Sequence, residues 1–351
     1  MYLSEMEVEN LRCLHRADVE FHPGANLVHG VNGAGKTSLL EAVHLLARGR
    51  SFRTRHTDRL VAQGQDTLRV FGRLTDSTVS SLGFGYSREA GTEVRIDRRS
   101  PRSLAELSVA FPAVVLDPGI HRLVEEGPSL RRKWLDWGVF HVEPSFVELW
   151  SNFSQTLKQR NAALKIHHDP SPWDQELAML GELLATARRQ AVALLAPHWE
   201  QTVQSMLGVE IAIGYFQGWS QERSLSESLE HHWASDMERG TTGQGPHRFD
   251  VQLTVGRRLA RDFLSRGQQK LLGAAMALSM ARLVSRLSGQ TPTLLLDDPA
   301  AELDREKTAK LLAEVQALQG QLIMTSLDHD SAITLAPDRV FHVEQGRVTS
   351  I

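Results

Sequence analysis

The chain has 351 residues, enough for two compact lobes, because a single hydrophobic core stops growing near ~250 to 300 residues. With 41% hydrophobic and 23% charged residues, no apolar run approaching the roughly 18 residues of a membrane span, and an acidic start ("MYLSEMEVENLRCL") unlike a signal peptide, no membrane association is expected and the cytoplasm is the expected compartment. A single cysteine, Cys13, excludes an internal disulfide framework and a multi-cysteine zinc site, and a net charge of -3 means that any contact with DNA must come from local basic patches.

In chain order, "LVHG" (27–30), "LRVFGRL" (68–74), "VSSLGFGYS" (79–87) and "EVRID" (93–97) predict short strands; alternation in the last three predicts antiparallel, half-solvated ones. They surround one helix with an apolar stripe of Leu39, Leu40, Val43, Leu46 and Ala47. After that helix, "RGRSFRTRHTDR" (48–59) sets five arginines against one aspartate, so Arg48, Arg50, Arg53 and Arg55 are the first candidates for DNA contact. The same pattern also suits a solvated face or a loop that docks two lobes. A second basic run, "RIDRRSPR", occupies 95–102.

From 106 to 245 strand signals nearly vanish. Residues 146–166 and 176–196 carry apolar residues at helical spacing, with Pro170, Pro172 and Pro197 as expected breaks, and "ERGTTGQGPHR" (238–248) reads as a return linker. Beyond it, "VQLTV" (251–255), an Ala-rich helix after "SRGQQK", "TLLLDD" (293–298), a helix near 305–318, "QLIMTS" (321–326) and a final hairpin restore the alternation of strand and helix. Segments 1–105 and 246–351 are therefore expected to build one α/β domain, a mixed sheet with flanking helices plus antiparallel strands, interrupted by a helical lobe at 106–245.

"GVNGAGKT" fits the phosphate-loop pattern G-x-x-x-x-G-K-[ST] at every fixed position, between a strand and a helix as the motif requires. Gly30, Val31, Asn32, Gly33, Ala34 and Gly35 would turn backbone N–H groups toward the phosphates of ATP. Lys36 would reach the β- and γ-phosphates, and the Thr37 hydroxyl would ligate Mg²⁺. Such a site also needs a carboxylate at the end of a buried strand to orient the metal, and Asp297 follows a pure leucine run. Asp298, one residue on, is placed to accept a proton from an attacking water or to hold it in line. Two adjacent carboxylates at a strand end would equally cap a turn.

A phosphate loop, a helical insert, a Ser-Gly-Gln loop heading a helix and a Leu-Leu-Leu-Asp strand, in that order, resemble the ATP-binding cassette (ABC) ATPases. "NLVHGVNGAGKTSLLEAVHLL", "GRSFRT", "GPSLRRKWLDW", "GPHR", "SRGQQKLL" and "LLLDDPAAELD" together look like the RecF family of bacterial recombination-mediator ATPases, over essentially the whole chain. The resemblance implies a weak, DNA-stimulated ATPase that forms an ATP-dependent homodimer, binds duplex DNA near single-strand gaps, and helps RecR and RecO load RecA. It further implies that Ser265, Gly267 and Gln268 form a signature loop serving the partner's γ-phosphate, and that Asp304 lies in a dimer-contacting loop. Ser265 would also make an ordinary helix cap.

Several positions depart from the cassette pattern. The acid after the metal carboxylate is usually Glu; Asp298 is one methylene shorter, which predicts slow turnover. Where many relatives place a switch histidine this chain has Ser326, with His329 beyond it, and "VVLDPG" (114–119) occupies the setting of the usual Gln loop without a Gln. Phe249 follows "GPHR" where an acid is expected. The alternatives are the ATP-hydrolysing subunit of a membrane transporter, which predicts a shorter chain and a coupling surface, and a small-molecule kinase, which needs no signature loop.

Overall fold

The computed structural model describes residues 1–101, 103–301, 303–327 and 336–351. They divide into two compact units, residues 1–121 with 274–351, and residues 122–273. In chain order the first unit contains β1 (Tyr2–Leu11), β2 (Leu14–Glu20), β3 (Ala25–His29), α1 (Lys36–Arg48), β4 (Thr67–Thr75), β5 (Ser81–Ser87), β6 (Gly91–Ile96), α2 (Leu104–Ala110) and β7 (Ala113–Leu116). The second contains α3 (Arg122–Glu125), α4 (Pro128–Val142), α5 (Phe146–Lys165), α6 (Asp174–Leu207), β8 (Ala212–Phe216), α7 (Leu225–His231), α8 (Trp233–Arg239), β9 (Asp250–Val255), β10 (Arg258–Leu259) and α9 (Ala260–Phe263). Helix α10 (Arg266–Ser288) carries the chain back to the first unit, which ends with β11 (Thr293–Leu296), α11 (Arg305–Gln316), β12 (Leu322–Ser326), β13 (Arg339–Glu344) and β14 (Arg347–Ser350).

Two sheets frame the first unit. One is antiparallel, in the order β2-β1-β4-β5-β6; the other runs β14-β13-β3-β12-β11-β7, parallel except for its β14 edge. Helix α1 is buried almost all round, from Lys36 to Ala47 with Thr37 the exception, and its leucines join the core that both sheets share. Its buried polar side chains, Lys36, Ser38, Glu41 and His44, lie on the same helix as those leucines. Strands β3, β11 and β12 are parallel, and open α/β sheets hold ligands beyond the carboxyl ends of such strands.

In the second unit, apolar helix faces are pinned by two fully buried arginines. Arg188 on α6 forms a bidentate pair with Asp136 of α4 (2.8 and 3.2 Å), donates to the Pro246 carbonyl at 2.9 Å, and stacks over Phe249 at 3.9 Å. Phe249 thus serves as a platform for a cation, and the acid expected there follows one residue later as Asp250, paired with Arg131 at 2.9 and 3.0 Å. Arg160 is held by Asp174 at 2.6 Å and by Asp236 and Thr242, each at 2.8 Å.

Four features differ from the sequence expectations. Strands β1 and β2 were not expected: β1 is rich in exposed Glu, and its pairing with β4 shifts register between Leu3 and Glu5, which breaks the alternation. The stretch 106–245 is not wholly helical. Its segment β7 pairs with β11 in the parallel sheet, and the second unit runs on to residue 273, because β9 pairs with β8. Pro197 does not break α6: Pro197 and Ala193, whose carbonyl loses its partner, are both exposed, so the freed acceptor is not buried without a partner. Finally, α10 contains an 18-residue window with a mean hydropathy of 1.2, long and apolar enough to cross a membrane, but 72% of it is buried, as in the core helix of a globular protein.

Candidate functional site

The phosphate loop joins β3 to α1 in a conformation that its glycines alone permit. Gly30 has φ 154°, and a Cβ there would lie 2.2 Å from the Val343 carbonyl oxygen of β13. Gly35, with φ 121°, immediately precedes α1, packed against the Cys13–Leu14 turn. The turn of the last hairpin braces the loop from behind, Gly346 N–H donating to the Ala34 carbonyl at 2.9 Å. Lys36 donates to the Gly30 and Val31 carbonyls at 2.5 and 3.1 Å. Burial pushes its pKa below the usual range, against the opposing pull of Asp298 and Asp297.

Asp297 immediately follows β11 and is 8% exposed. Its Oδ1 accepts from Thr37 Oγ1 and from Thr325 Oγ1, both at 2.9 Å, so the metal-site hydroxyl and carboxylate expected from the sequence do meet. The backbone N–H of Asp298 donates to the same Thr325 hydroxyl at 2.9 Å, and Asp298 has φ 47°, a left-handed conformation unusual for a residue with a Cβ. These groups line one cavity of about 450 Å³, together with Arg12, Cys13, Arg53, Pro118 and Ala301. A hydroxyl and a carboxylate sharing one hydrogen bond are hard oxygen donors of the kind Mg²⁺ uses beside phosphate and water oxygens, so the residues fit Mg²⁺ bound with a nucleotide. Among the described residues no group of three or more His, Cys, Asp or Glu forms a separate metal site.

Ser265, Gly267 and Gln268 stand at the head of α10. Ser265 is exposed and makes a reciprocal cap: Gln268 N–H donates to its hydroxyl at 3.4 Å and its own N–H donates to Gln268 Oε1 at 3.0 Å. Asp304 caps α11 by accepting the Lys307 N–H at 2.9 Å, and its bonds from Lys307 hold its carboxyl below the usual range. Of the four arginines expected to meet DNA, Arg50 and Arg55 are exposed, while Arg53 is exposed and lines the cavity beside the phosphate loop. Arg48 turns inward: it donates to the Ala113 carbonyl at 3.5 Å, and burial, with Arg50 nearby, pushes its pKa down to about 9. Ser326 ends β12 in a buried position; His329 lies outside the described residues. At the setting of the missing Gln loop, Pro118 lines the cavity.

Sequence reasoning missed Thr325 and Arg12. Thr325 could have been suspected as a polar residue near the end of an apolar strand. Arg12 gave only the weak signal of a cation beside a short turn.

A phosphate loop leading into a central helix, a carboxylate just after a neighbouring parallel strand and an accompanying antiparallel sheet define an ATPase head of the ABC and SMC kind. Residues 2–349 match the family described as the RecF/RecN/SMC N terminal domain. The chain is 38% identical over 360 residues to the DNA replication and repair protein RecF of Pseudomonas fluorescens (strain SBW25), covering 99% of this chain and 98% of that one. It is 36% identical over 360 residues, with the same coverage, to the protein of that name from Pseudomonas entomophila (strain L48). Among solved structures, that of the recombination mediator protein RecF with ATP, in the RecFOR pathway, is similar with a TM-score of 0.89 at 26% identity, covering 100% of this chain and 97% of that one. An Smc head bound to the C-winged helix domain of ScpA shares the fold, with a TM-score of 0.61 at 13% identity and coverage of 100% and 98%. The chain belongs to the RecF family of DNA replication and repair proteins, ATPases of the ABC and SMC class, which leaves the transporter alternative without support.

Proposed function

We propose that this protein binds ATP with Mg²⁺ in the cavity between the phosphate loop and Asp297, forms a homodimer when it does so, and in that state binds duplex DNA near single-strand gaps. There, in the cytoplasm, it assists RecR and RecO in loading RecA. The observation that supports this most is the convergence of Lys36, Thr37, Asp297 and Asp298 on one cavity, in a chain that matches RecF relatives over 99% of its length.

In this reading Lys36 and the loop N–H groups hold the phosphates, and Thr37 and Asp297 hold the metal. Asp298 orients the attacking water and takes its proton. Ser265, Gly267 and Gln268, at the positive end of α10, donate to the γ-phosphate held by the other subunit. Triphosphate charge is thereby neutralised from two molecules. Closing the dimer doubles whatever basic surface each copy offers to DNA, which matters for a chain with net charge -3 because phosphate contacts dominate affinity. Hydrolysis reopens the dimer, slowly, since Asp298 is shorter than the usual Glu.

Sedimentation of the full chain with and without ATP and Mg²⁺, alone and with gapped duplex DNA, tests the proposal. A monomer that becomes a dimer on ATP and then cosediments with DNA is the expected result. A protein that stays monomeric on saturating ATP contradicts it.

A further inference from the structure

Glu41, on α1 beyond the phosphate loop, has no solvent exposure. Three donors converge on its carboxylate: Arg12 Nε on Oε2, Arg12 Nη2 on Oε1 at 3.0 Å, and the Ser51 hydroxyl on Oε1. A carboxylate only accepts, so the Ser51 proton is committed to Glu41 and the lone pairs of Ser51 are left to accept. They do so, from the backbone N–H of Arg53 at 2.9 Å and of Thr54 at 3.0 Å. One buried carboxylate therefore fixes two separate pieces of chain, the turn between β1 and β2 and the loop after α1.

Both pieces deliver an arginine to the same place. Arg12 and Arg53 line the cavity that contains the phosphate loop and Asp297. Arg12 is held from its backbone as well: its φ is 53° and its N–H donates to the Leu60 carbonyl at 2.7 Å. Of the five N–H donors of its guanidinium, two go to Glu41, which leaves three for an anion.

We propose that Glu41 is a positioning residue of the nucleotide site, a buried carboxylate that aims Arg12 and Arg53 together at the bound nucleoside triphosphate. The proposal rests on reading the cavity as the ATP site. It explains why an acid, not an amide, belongs at this position: Gln offers one acceptor oxygen to three converging donors, and its NH₂ would face at least one of them.

The test is the affinity of the full chain for a fluorescent ATP analogue with Mg²⁺, measured for wild type, Glu41→Gln, Arg12→Ala/Arg53→Ala, and all three changes combined, with Lys36→Met as the site control. Glu41→Gln is expected to weaken binding on the order of tenfold, because the groups that touch the ligand lose their support. Added to Arg12→Ala/Arg53→Ala it is expected to cost nothing further, the non-additivity of residues acting through one another. A Glu41→Gln protein that binds like wild type while Lys36→Met does not bind, or one whose loss is undiminished in the double-arginine background, overturns the proposal and spares the ATP site. A wild-type protein that does not bind overturns the site itself. Should Glu41→Gln fail to fold, Ser51→Ala cuts only the loop branch. It is expected to weaken binding severalfold in wild type and not in Arg53→Ala, and an equal effect in both backgrounds overturns the proposal.

Discussion

Thr325 and Asp297 are joined by a 2.9 Å hydrogen bond in which the hydroxyl donates to the carboxylate, and the same hydroxyl accepts the backbone N–H of Asp298 at 2.9 Å. One side chain on β12 therefore touches both acidic residues that follow β11: it bonds the carboxylate of Asp297, the proposed metal ligand, and the backbone N–H of Asp298, the proposed catalytic position. Thr325→Val keeps the shape and removes the hydroxyl, leaving the Asp298 N–H without that acceptor. It is expected to cost about 1 to 3 kcal/mol of stability, and to slow ATP turnover about tenfold or more by misplacing Asp298. Thr325→Ser, which keeps the hydroxyl, should turn over close to wild type. Steady-state hydrolysis beside thermal melts decides the matter; an unaltered rate in Thr325→Val removes Thr325 from the machinery.

At Asp298 the proposed catalytic role can be tested apart from folding. Its φ of 47° is a conformation that glycine adopts freely and that other residues occupy at a cost of about 1 to 2 kcal/mol. Asp298→Gly should therefore shift stability by no more than about 1 kcal/mol while ATP turnover falls at least about 100-fold, the lower end of what a general acid-base group supplies. Near-normal turnover in the glycine variant would show that the carboxylate has no part in hydrolysis.

How much of this was legible in the sequence depended on whether a feature was contiguous. The phosphate loop is eight successive residues whose glycines and lysine are fixed by backbone conformation and phosphate charge, so it could be read directly. The position of Asp297 was legible because it closes a short leucine run of strand length that follows a Thr-Pro-Thr break. Thr325 was not, because its role arises only when β12 pairs with β3 on one side and β11 on the other. Arg12 and Glu41 are 29 residues apart, and nothing in either segment alone announces the other. The basic run 48–59 looked like one surface, yet the fold sends Arg48 inward, Arg53 to the cavity, and Arg50 and Arg55 to solvent.

Acid should destabilise this protein through His44. Its ring lies inside the first unit with Nδ1 2.7 Å from the Arg50 carbonyl oxygen, and burial, reinforced by Arg48, pushes its pKa from 6.5 down to about 3. Over that window the unfolded chain binds a proton that the folded chain refuses. Stability is therefore complete above pH 6.5 and is lost as pH falls toward 3, by about 1.4 kcal/mol per pH unit where only the unfolded form is protonated. His247, in the second unit and pushed by burial to about 4, adds a slope of the same sign. His44→Gln keeps a donor for the Arg50 carbonyl and removes the titration. Chemical denaturation between pH 6 and pH 4 should give a pH slope for the variant that is shallower by about one proton, and equal slopes would contradict the burial of a neutral ring.

Ser265 tests whether the head of α10 serves another molecule. Within one chain its hydroxyl does no more than cap a helix, a role worth about 1 kcal/mol, and the described residues that line the phosphate-loop cavity all belong to the first unit. If capping were its whole purpose, Ser265→Arg would lose that small stability and leave association untouched. If its hydroxyl and the N–H groups of the following turn meet the γ-phosphate held by a second copy, the bulky cation blocks closure while each subunit still binds ATP. The two cases differ in one measurement, sedimentation on ATP with bound nucleotide quantified in parallel. Expected are a Ser265→Arg protein that binds ATP and stays monomeric, and a Lys36→Met protein that does neither. A Ser265→Arg protein that dimerises on ATP as wild type does would return Ser265 to the status of a cap, and the shared-pocket account of this ATPase would have to be given up.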